Sequence, residues 1–189
     1  MNLVLSLTEQ CNLRCSYCYY RESQSARSLV MSDDVLRQSI QFAYEMSLAH
    51  KQNNFNITFF GGEPLLCKEA ILKGVEFAKQ LNAENVRLRF AVNTNGTLLD
   101  SPTLDYFQKE NFRIFLSLDG PQDVHDSARR FPNGKGSFNT IQPFLSGLSK
   151  MDSVILRVIS RKYLNGLADS IRFIHSLGFK NISTATDFD

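Results

Sequence analysis

The chain alternates short, almost continuously apolar runs with longer amphipathic stretches. Five runs are rich in β-branched and aromatic residues and predict strands, and a weaker sixth run surrounds Ile182. The five runs are residues 3–7, 57–60, 88–92, 114–118 and 154–159. Runs without a polar face are typical of parallel strands that are buried on both sides.

The stretches between these runs carry apolar residues at helical spacing, which predicts helices. The predicted stripes are Leu36, Ile40 and Ala43; Ile71, Val75 and Ala78; and Leu167, Ile171 and Ile174. Ser32 and Asn165 are predicted N-caps of the first and last of these helices. Pro102 and Pro143 are predicted to lie in the first turns of two further helices, where proline is tolerated.

Strands that alternate with helices predict an α/β fold built on a parallel sheet. Five βα units and a sixth strand make a partial (βα)6 barrel of the open, TIM-like type, because a closed barrel of this kind needs eight. The chain stops at Asp189, directly after the sixth strand, so we expect no helix to cover that edge. Residues 1–189 are therefore predicted to form one core domain, truncated at its C-terminus.

Composition narrows the class of protein. The 189 residues are 43% hydrophobic and 21% charged, which is typical of one globular domain and not of a disordered chain. The net charge of +2 argues against bulk nucleic-acid binding. No apolar run approaches the roughly 20 residues that span a bilayer, and the first residues lack the basic region of a signal peptide. We expect a cytoplasmic protein with neither a membrane nor a nucleic acid as its partner.

Polar or glycine-rich clusters follow four of the predicted strands. A cysteine-rich loop follows the first strand, Gly-Gly-Glu-Pro at 61–64 the second, Asn95 the third, and Ser117 with Asp119 the fourth. In (βα) barrels the active site is built from the loops at the carboxyl ends of the strands. The four clusters therefore predict a single functional site at that end.

The cysteine loop has the spacing C-x3-C-x2-C, formed by Cys11, Cys15 and Cys18. A structural zinc ion normally takes four protein ligands, so three clustered cysteines fit it poorly. A [4Fe-4S] cluster held by three thiolates keeps one iron open to a small molecule, which is the chemistry this spacing favours. Cys67 lies apart and is predicted to be an ordinary half-buried thiol.

Two further clusters suggest contacts to a small ligand. Gly61 and Gly62 lack a Cβ and let the backbone approach a ligand, while Glu63 adds a carboxylate; together these oxygens suit an ammonium group. Ser117 could hydrogen-bond a ribose hydroxyl, and Arg129 could bind a carboxylate through two N–H groups.

Arg157 lies near the middle of the fifth strand. We expect its side chain either to point into the barrel or to extend outward to solvent.

Together these motifs resemble the radical S-adenosylmethionine (SAM) superfamily, and within it the peptide- and protein-modifying branch of anaerobic sulfatase-maturating enzymes and SPASM-type maturases. The resemblance rests on the cysteine loop, on Gly-Gly-Glu-Pro, and on the order Ser-Leu-Asp-Gly-Pro, His-Asp-x-x-Arg and Gly-Ser-Phe, and it spans nearly the whole chain. It implies SAM contacts at Tyr17, Gly62, Ser117 and Arg129. It also implies that the Gly-Gly-Glu-Pro motif binds the amino group of SAM and that Asn95 contacts cofactor or substrate.

The resemblance also implies a mechanism. A reduced cluster donates one electron to SAM, which releases methionine and a 5′-deoxyadenosyl radical that abstracts hydrogen from a peptide or protein substrate. An external donor of the flavodoxin or ferredoxin type would supply the electron. The residue that is modified and any catalytic side chain stay open.

Three alternatives also stay open. A glycyl-radical activase and a deazaguanine-synthase-like enzyme both use a three-cysteine loop on a compact barrel. A truncated, non-catalytic fragment that binds SAM or a peptide is the third. Maturases of the branch carry a C-terminal extension with cysteines for auxiliary clusters, and because no cysteine follows Cys67, that domain is predicted to be absent from this sequence.

Overall fold

Strands and helices alternate along the chain in the computed structural model, which describes residues 1–18, 20, 29–83 and 86–187 apart from the side chain of Lys162. The strands are β1 (Asn2–Thr8), β2 (Asn54–Gly61), β3 (Arg87–Thr94), β4 (Arg113–Ser117), β5 (Ser153–Ile159) and β6 (Asn181–Thr186). The α-helices are α1 (Asp33–Ala49), α2 (Lys68–Leu81), α3 (Ser101–Lys109), α4 (Gln122–Ala128), α5 (Phe138–Leu148) and α6 (Leu167–Ser176). Two short 3-10 helices, Pro64–Cys67 and Arg161–Gly166, precede α2 and α6.

The six strands form one parallel sheet in the order β1-β2-β3-β4-β5-β6. This arrangement confirms the predicted α/β fold and its open (βα)6 architecture. Because every strand runs in the same direction, the loops after the strands all emerge at one end of the sheet. The registers align Ser6 of β1 with Phe60 of β2, and Ser117 of β4 with Leu156 of β5.

One face of the sheet packs against the helices and forms the hydrophobic core. The predicted stripes of α1 and α2 are buried there, together with alternate residues of the strands. Phe112 lies at the centre of an aromatic cluster, with its ring 4.6 Å from that of Phe107, 5.6 Å from Phe90 and 6.1 Å from Phe59. Offset aromatic contacts of this kind add to the energy of burial.

The other face of the sheet borders the barrel interior, which six strands leave open. Residues of β2 and β5 alternate strictly between buried and half-buried, and on β1 the side chain of Val4 is 63% exposed. Burial on both faces, which the apolar runs predicted, is therefore incomplete because the sheet does not close.

The helix starts agree with the sequence at the first helix and at Pro102. The Ser32 hydroxyl accepts a hydrogen bond from the Val35 N–H at 3.3 Å and caps α1 as predicted. Pro102 lies in the first turn of α3, which Asp100 caps by accepting from the Thr103 N–H at 2.9 Å.

The predictions for Pro143 and Asn165 were wrong. Pro143 lies inside α5, and Asn165 belongs to the 3-10 helix before α6. In the stripe predicted for α6, Ile174 is buried, but Ile171 remains 37% exposed.

The last strand, β6, is exposed at every position except Ile182, which is partly buried. The chain after Asp187, to which the expectation of an uncovered edge refers, lies outside the described residues. Within the described ranges, no helix is both long enough and apolar enough to cross a membrane.

Candidate functional site at the carboxyl ends of the strands

The carboxyl ends of the strands surround a cavity of about 560 Å³. All predicted site residues except Glu63 line it, namely Cys11, Cys15, Tyr17, Cys18, Gly61, Gly62, Asn95, Ser117 and Arg129. The structure therefore brings together side chains from the loops after β1, β2, β3 and β4, as the position of the motifs predicted. The remaining lining residues were not predicted as site residues; they are Leu13, Tyr20, Phe60, Asn93, Thr94, Val158, Ala185, Thr186 and Asp187.

The cysteine loop is held by backbone hydrogen bonds on two sides. On one side, the Gly62 N–H donates to the Thr8 carbonyl at 2.7 Å and the Glu63 N–H to the Gln10 carbonyl at 2.8 Å. On the other side, residues 14 and 16 donate to the carbonyls of residues 130 and 128 at the end of α4, at 2.7 and 3.1 Å. The loops after β2 and β4 thus fix the segment that carries the three thiols.

The two glycines of the second loop are required by this close packing. A Cβ on Gly61, whose φ is +142°, would lie 2.3 Å from the Thr8 carbonyl oxygen. A Cβ on Gly62 would lie 2.3 Å from the Gln10 carbonyl oxygen. Backbone atoms cannot yield as a flexible side chain can, so both positions require glycine for contact with the cysteine loop, in addition to any approach of a ligand.

Glu63 requires a correction. We expected its carboxylate to bind the ammonium group of a ligand, but the side chain is fully buried and does not line the cavity. Its Oε1 accepts from the Leu65 N–H at 3.0 Å and the Thr94 hydroxyl at 2.8 Å, and its Oε2 from the Asn95 N–H at 2.7 Å. The carboxylate therefore ties the loop after β2 to the end of β3. Any ammonium contact of this motif falls to the Gly61 and Gly62 backbone.

Burial also changes the acidity of Glu63. Loss of hydration raises its pKa from 4.5 to about 7, although hydrogen bonds from Asn95, Leu65 and Thr94 oppose the shift. No cation contributes to the balance, so burial prevails.

Asn95 supports the cysteine loop. Its side-chain Nδ2 donates to Asn12 Oδ1 at 3.0 Å and to Cys11 Sγ at 3.7 Å. Its Oδ1 accepts from the Thr97 N–H at 2.9 Å and from the Thr97 hydroxyl at 2.6 Å, and that hydroxyl accepts from Asn12 Nδ2 at 2.8 Å. Because these bonds use both donors and both acceptor sites of the Asn95 amide, the geometry favours a role in holding Cys11.

The three thiols fit an iron–sulfur cluster better than a single metal ion. They line the same cavity and repel one another electrostatically when ionised. Yet the part of the chain that the structure describes contains no group of three His, Cys, Asp or Glu side chains placed to hold one ion. Thiolates of a [4Fe-4S] cluster bind different irons and therefore lie farther apart than the ligands of one zinc. Cys11, Cys15 and Cys18, which share one cavity without forming a site for one ion among the described residues, therefore fit such a cluster.

The acidity of two of these thiols depends on their surroundings. Burial raises the pKa of Cys11, and it raises the pKa of Cys15 to about 11 against the opposing charge of Arg129. Burial also raises the pKa of Cys67, but this thiol lies half-buried at the start of α2, outside the cavity.

Arg129 is buried in the cavity wall with only 7% of its surface exposed. Its Nε and Nη2 donate to Oδ2 and Oδ1 of Asp119 at 3.0 and 3.1 Å. Asp119 also accepts from the Tyr17 hydroxyl at 2.6 Å and from the Val158 N–H at 2.9 Å. The guanidinium carbon lies 5.4 Å from the centre of the Tyr17 ring, within the range of a cation–π contact. Arg129 is therefore a buried, ion-paired cation and not a surface residue.

The acidity of Asp119 contrasts with that of Glu63. Burial raises the pKa of Asp119, but the charge of Arg129 and the hydrogen bonds from Arg129, Tyr17 and Val158 lower it by more. Its pKa therefore lies below the usual value. The role of Asp119 was not predicted from the sequence, although its position two residues after Ser117, at the end of a strand, was an available signal.

His125 and Ser137 connect the backbone at both ends of this ion pair. The Asp119 N–H donates to His125 Nδ1 at 3.4 Å, and His125 Nε2 lies 2.9 Å from the Ser137 hydroxyl, which donates to the Arg129 carbonyl at 2.9 Å. This chain of bonds assigns a neutral His125 with its proton on Nε2. Burial and the charge of Arg129 lower the His125 pKa to about 4, so the neutral form prevails at neutral pH.

The other members of the same motifs are also structural. Asp126 accepts from the Phe138 N–H at 2.8 Å at the start of α5, and a Cβ on Gly136 would lie 2.0 Å from the Asp126 carboxyl carbon. The residues after His125 therefore anchor α5 beside the site.

Ser117 and Arg157 occupy opposite faces of the sheet. Ser117 lines the cavity, where its hydroxyl forms no hydrogen bond with any described residue. Arg157 lies on the helix side, 2% exposed, with Nη1 3.4 Å from the Leu167 carbonyl oxygen and no hydrogen-bond partner for Nε among the described residues. Arg157 therefore follows neither of its two predicted orientations.

Comparisons with known proteins agree with this site. The family model described as "Radical SAM superfamily" matches residues 5–186. The chain is 27% identical over 181 residues to a cysteine-type anaerobic sulfatase-maturating enzyme of Clostridium novyi, covering 94% of this chain and 48% of that enzyme. It is 33% identical over 144 residues to a serine-type enzyme of Bacteroides thetaiotaomicron, covering 74% and 34% of the two chains.

A solved structure gives the same result in three dimensions. The structure of anSMEcpe with bound AdoMet and the Kp18Cys peptide superposes with a TM-score of 0.90 at 25% identity. The match covers 100% of this chain and 51% of that one. The chain thus spans about half the length of such relatives.

Proposed function

Because the chain belongs to the radical SAM superfamily, we propose that it binds a [4Fe-4S] cluster through Cys11, Cys15 and Cys18 and cleaves SAM in the adjoining cavity to modify a peptide or protein. A [4Fe-4S] cluster and SAM are the cofactors of this family. The single observation that carries the proposal is the convergence of the three thiols and the predicted SAM contacts on one cavity at the carboxyl ends of the strands.

The cofactors supply the radical chemistry. When they are bound, one electron from an external donor breaks a C–S bond of the SAM sulfonium, giving methionine and a 5′-deoxyadenosyl radical that takes a hydrogen atom from the substrate. The protein binds, orients and encloses these reactants.

The residues that line the cavity have proposed roles that follow from the hydrogen-bonding groups they offer to SAM. The Gly61 and Gly62 carbonyls would accept hydrogen bonds from the ammonium group of SAM, and Ser117 would bind a ribose hydroxyl. Arg129 donates two of its five N–H groups to Asp119, which leaves three that could bind a carboxylate. Tyr17 would contact SAM beside Arg129. Val158 and Phe60 add apolar surface to the lining of the cavity.

A peptide or protein substrate is the finer part of the proposal. Two observations support it: the relatives include cysteine-type and serine-type sulfatase-maturating enzymes, and a matching solved structure carries a peptide together with AdoMet. The experiment should therefore offer peptides with a cysteine or a serine at the target position.

The first test concerns the cofactors. After anaerobic reconstitution we expect about four irons per chain and, with SAM and dithionite, formation of 5′-deoxyadenosine. The triple variant Cys11→Ala, Cys15→Ala, Cys18→Ala should lose both, whereas the matched variant Cys67→Ala should retain both because Cys67 lies outside the cavity. Unchanged iron content in the triple variant would contradict the proposal.

The second test concerns the substrate. Candidate peptides deuterated at the target residue should transfer deuterium to 5′-deoxyadenosine, and the peptide mass should change. Formation of 5′-deoxyadenosine without deuterium transfer from any such peptide would leave the cofactor chemistry in place and would refute the assignment of these peptides as substrates.

A further inference from the structure

A buried polar network of five residues backs the wall of the cavity, and the three that do not line the cavity have no role in the cofactor binding proposed above. It consists of Asp119, Arg129, Tyr17, His125 and Ser137. We propose that Asp119 is a positioning residue that, together with His125 and Ser137, holds the guanidinium of Arg129 in the orientation that binds SAM. The inference rests on the proposed function, because it assigns to Arg129 a SAM contact.

Side-chain contacts form the first link of this network. The two N–H···O bonds from Arg129 to Asp119, at 3.0 and 3.1 Å, fix the plane of the guanidinium. The Tyr17 hydroxyl binds the same carboxylate at 2.6 Å, and its ring lies under the guanidinium. Asp119 therefore orients together two residues that line the cavity.

Backbone contacts form the second link between the same two residues. His125 accepts from the Asp119 N–H, and Ser137 donates to the Arg129 carbonyl, while His125 and Ser137 bind each other at 2.9 Å. Asp119 and Arg129 are thus joined once through their side chains and once through their backbones. An arginine that is held at both its side chain and its backbone loses little additional freedom when a ligand binds.

The N–H groups of Arg129 that Asp119 does not occupy are the ones that a ligand in the cavity could use. Asp119 occupies Nε and one N–H of Nη2, so the remaining three donors belong to Nη1 and to the other N–H of Nη2. Arg129 lines the cavity, whereas Asp119 is only 2% exposed and does not line it. The carboxylate compensates the buried charge from behind and leaves the cavity side of the guanidinium to an anionic group.

The central experiment compares Asp119→Asn, Arg129→Met and the double variant. SAM affinity is measured by calorimetry on reconstituted protein with the oxidised cluster, so that no turnover occurs, and thermal stability and iron content are measured in parallel. We expect Asp119→Asn to weaken SAM binding about 10- to 100-fold, the range of a lost charged hydrogen bond. The matched variant Asp123→Asn, on the exposed face of α4, should bind SAM like the wild type.

The double variant separates positioning from stability. Each single substitution leaves one buried charge without its partner, whereas the double variant removes both charges, and so it should recover much of the lost thermal stability. If Asp119 acts through Arg129, SAM affinity in the double variant should stay as low as in Arg129→Met. Because the double variant carries no unpaired charge, this comparison remains possible even if Asp119→Asn does not fold.

Two results would overturn the inference alone: wild-type SAM affinity in a folded Asp119→Asn, or SAM affinity that recovers together with stability in the double variant. A reconstituted wild-type chain with a full complement of iron that binds no SAM would overturn the proposed function, and this inference with it. A recovered melting temperature combined with persistently weak SAM binding would support the inference.

Discussion

Two buried carboxylates join the loops around the cavity, and their surroundings differ. Glu63 receives three hydrogen bonds from neutral groups and no cation, and burial raises its pKa to about 7. Asp119 receives four hydrogen bonds, two of them from Arg129, and its pKa is lowered. Neutral donors do not offset the loss of hydration, whereas a bidentate arginine does. The same task of joining loops is thus performed by one carboxylate that is half protonated near neutral pH and one that stays ionised.

The largest expected effect is on the unfolding free energy and tests Asp119, the carboxylate that is paired with a cation. Asp119→Asn leaves the Arg129 guanidinium buried without its counter-charge, which costs about 3–5 kcal/mol of unfolding free energy in such pairs. Urea denaturation of the cluster-free chain measures this cost. Asp123→Asn is the control, since Asp123 is exposed, and we expect its effect to stay within about 0.5 kcal/mol. A cost below about 1 kcal/mol for Asp119→Asn would contradict the view that Arg129 depends on Asp119 as its buried counter-charge.

A second test uses pH to separate the two carboxylates. The folded state binds a proton at Glu63 up to about pH 7, while the unfolded chain releases it near 4.5. The stabilising contribution of protonated Glu63 is therefore complete below pH 4.5 and is lost as pH rises to 7, by an amount on the order of 3 kcal/mol. Asp119 has the opposite sign, because its contribution is present above its unfolded pKa of 3.8 and is lost only below it.

The measurement is the unfolding free energy from pH 4.5 to 8 for the wild type and Glu63→Gln. Their difference should change steadily across this window, because glutamine does not titrate. His125 contributes in the other direction in both proteins, since its folded pKa of about 4 means that stability is lost as pH falls from 6.5. A constant difference between the two proteins would show that Glu63 does not titrate in this range.

A third test addresses Glu63, the carboxylate with only neutral hydrogen-bond donors, at fixed pH. Glu63→Gln keeps one side-chain oxygen. In one orientation it accepts from the Leu65 N–H and the Thr94 hydroxyl while the amide N–H₂ faces the Asn95 N–H, and in the other it accepts from the Asn95 N–H alone. We expect a loss of about 1–3 kcal/mol at pH 8, the cost of one unsatisfied buried group. This cost should grow at pH 5, because protonation of Glu63 stabilises the wild type there, whereas glutamine does not titrate. SAM affinity should change less than in Asp119→Asn, because Arg129 is not among the hydrogen-bond partners of the Glu63 side chain.

The comparison also shows which parts of the site the sequence could predict. The cysteines and glycines were found because their motifs are local: each is defined by neighbours within a few residues. The orientation of Glu63 was not predictable in the same way, since its partners Thr94 and Asn95 come from another strand end about 30 residues away. Asp119 was overlooked for the same reason, as its partner Tyr17 lies 102 residues earlier.

The fold was easier to predict from the sequence than these contacts. Each of the six apolar runs overlaps the strand it predicted, because apolar residues must be buried whichever neighbours they find. Helix starts were less predictable. Pro143 was placed in a first turn, whereas α5 begins five residues earlier at Phe138, next to Asp126, which receives its first N–H. That cap comes from a different helix and leaves no signal in the local sequence.

The smallest expected effect separates the backbone contact that Asn95 makes to Glu63 from the contacts of its side chain. Its backbone N–H binds Glu63, while its side chain binds Asn12, Thr97 and the sulfur of Cys11. Asn95→Ala keeps the first contact and removes the others, so we expect a loss of about 1–2 kcal/mol in unfolding free energy. In the reconstituted protein without SAM, loss of the N–H donor to Cys11 should also make the cluster harder to reduce, because such donors stabilise the extra negative charge of the reduced state. Asn93→Ala is the matched control, since Asn93 lines the cavity but makes no hydrogen bond to a cysteine. A reduction potential that shifts equally in both variants would assign the effect to the cavity wall, and an unchanged potential in Asn95→Ala would show that the 3.7 Å contact to Cys11 does not tune the cluster.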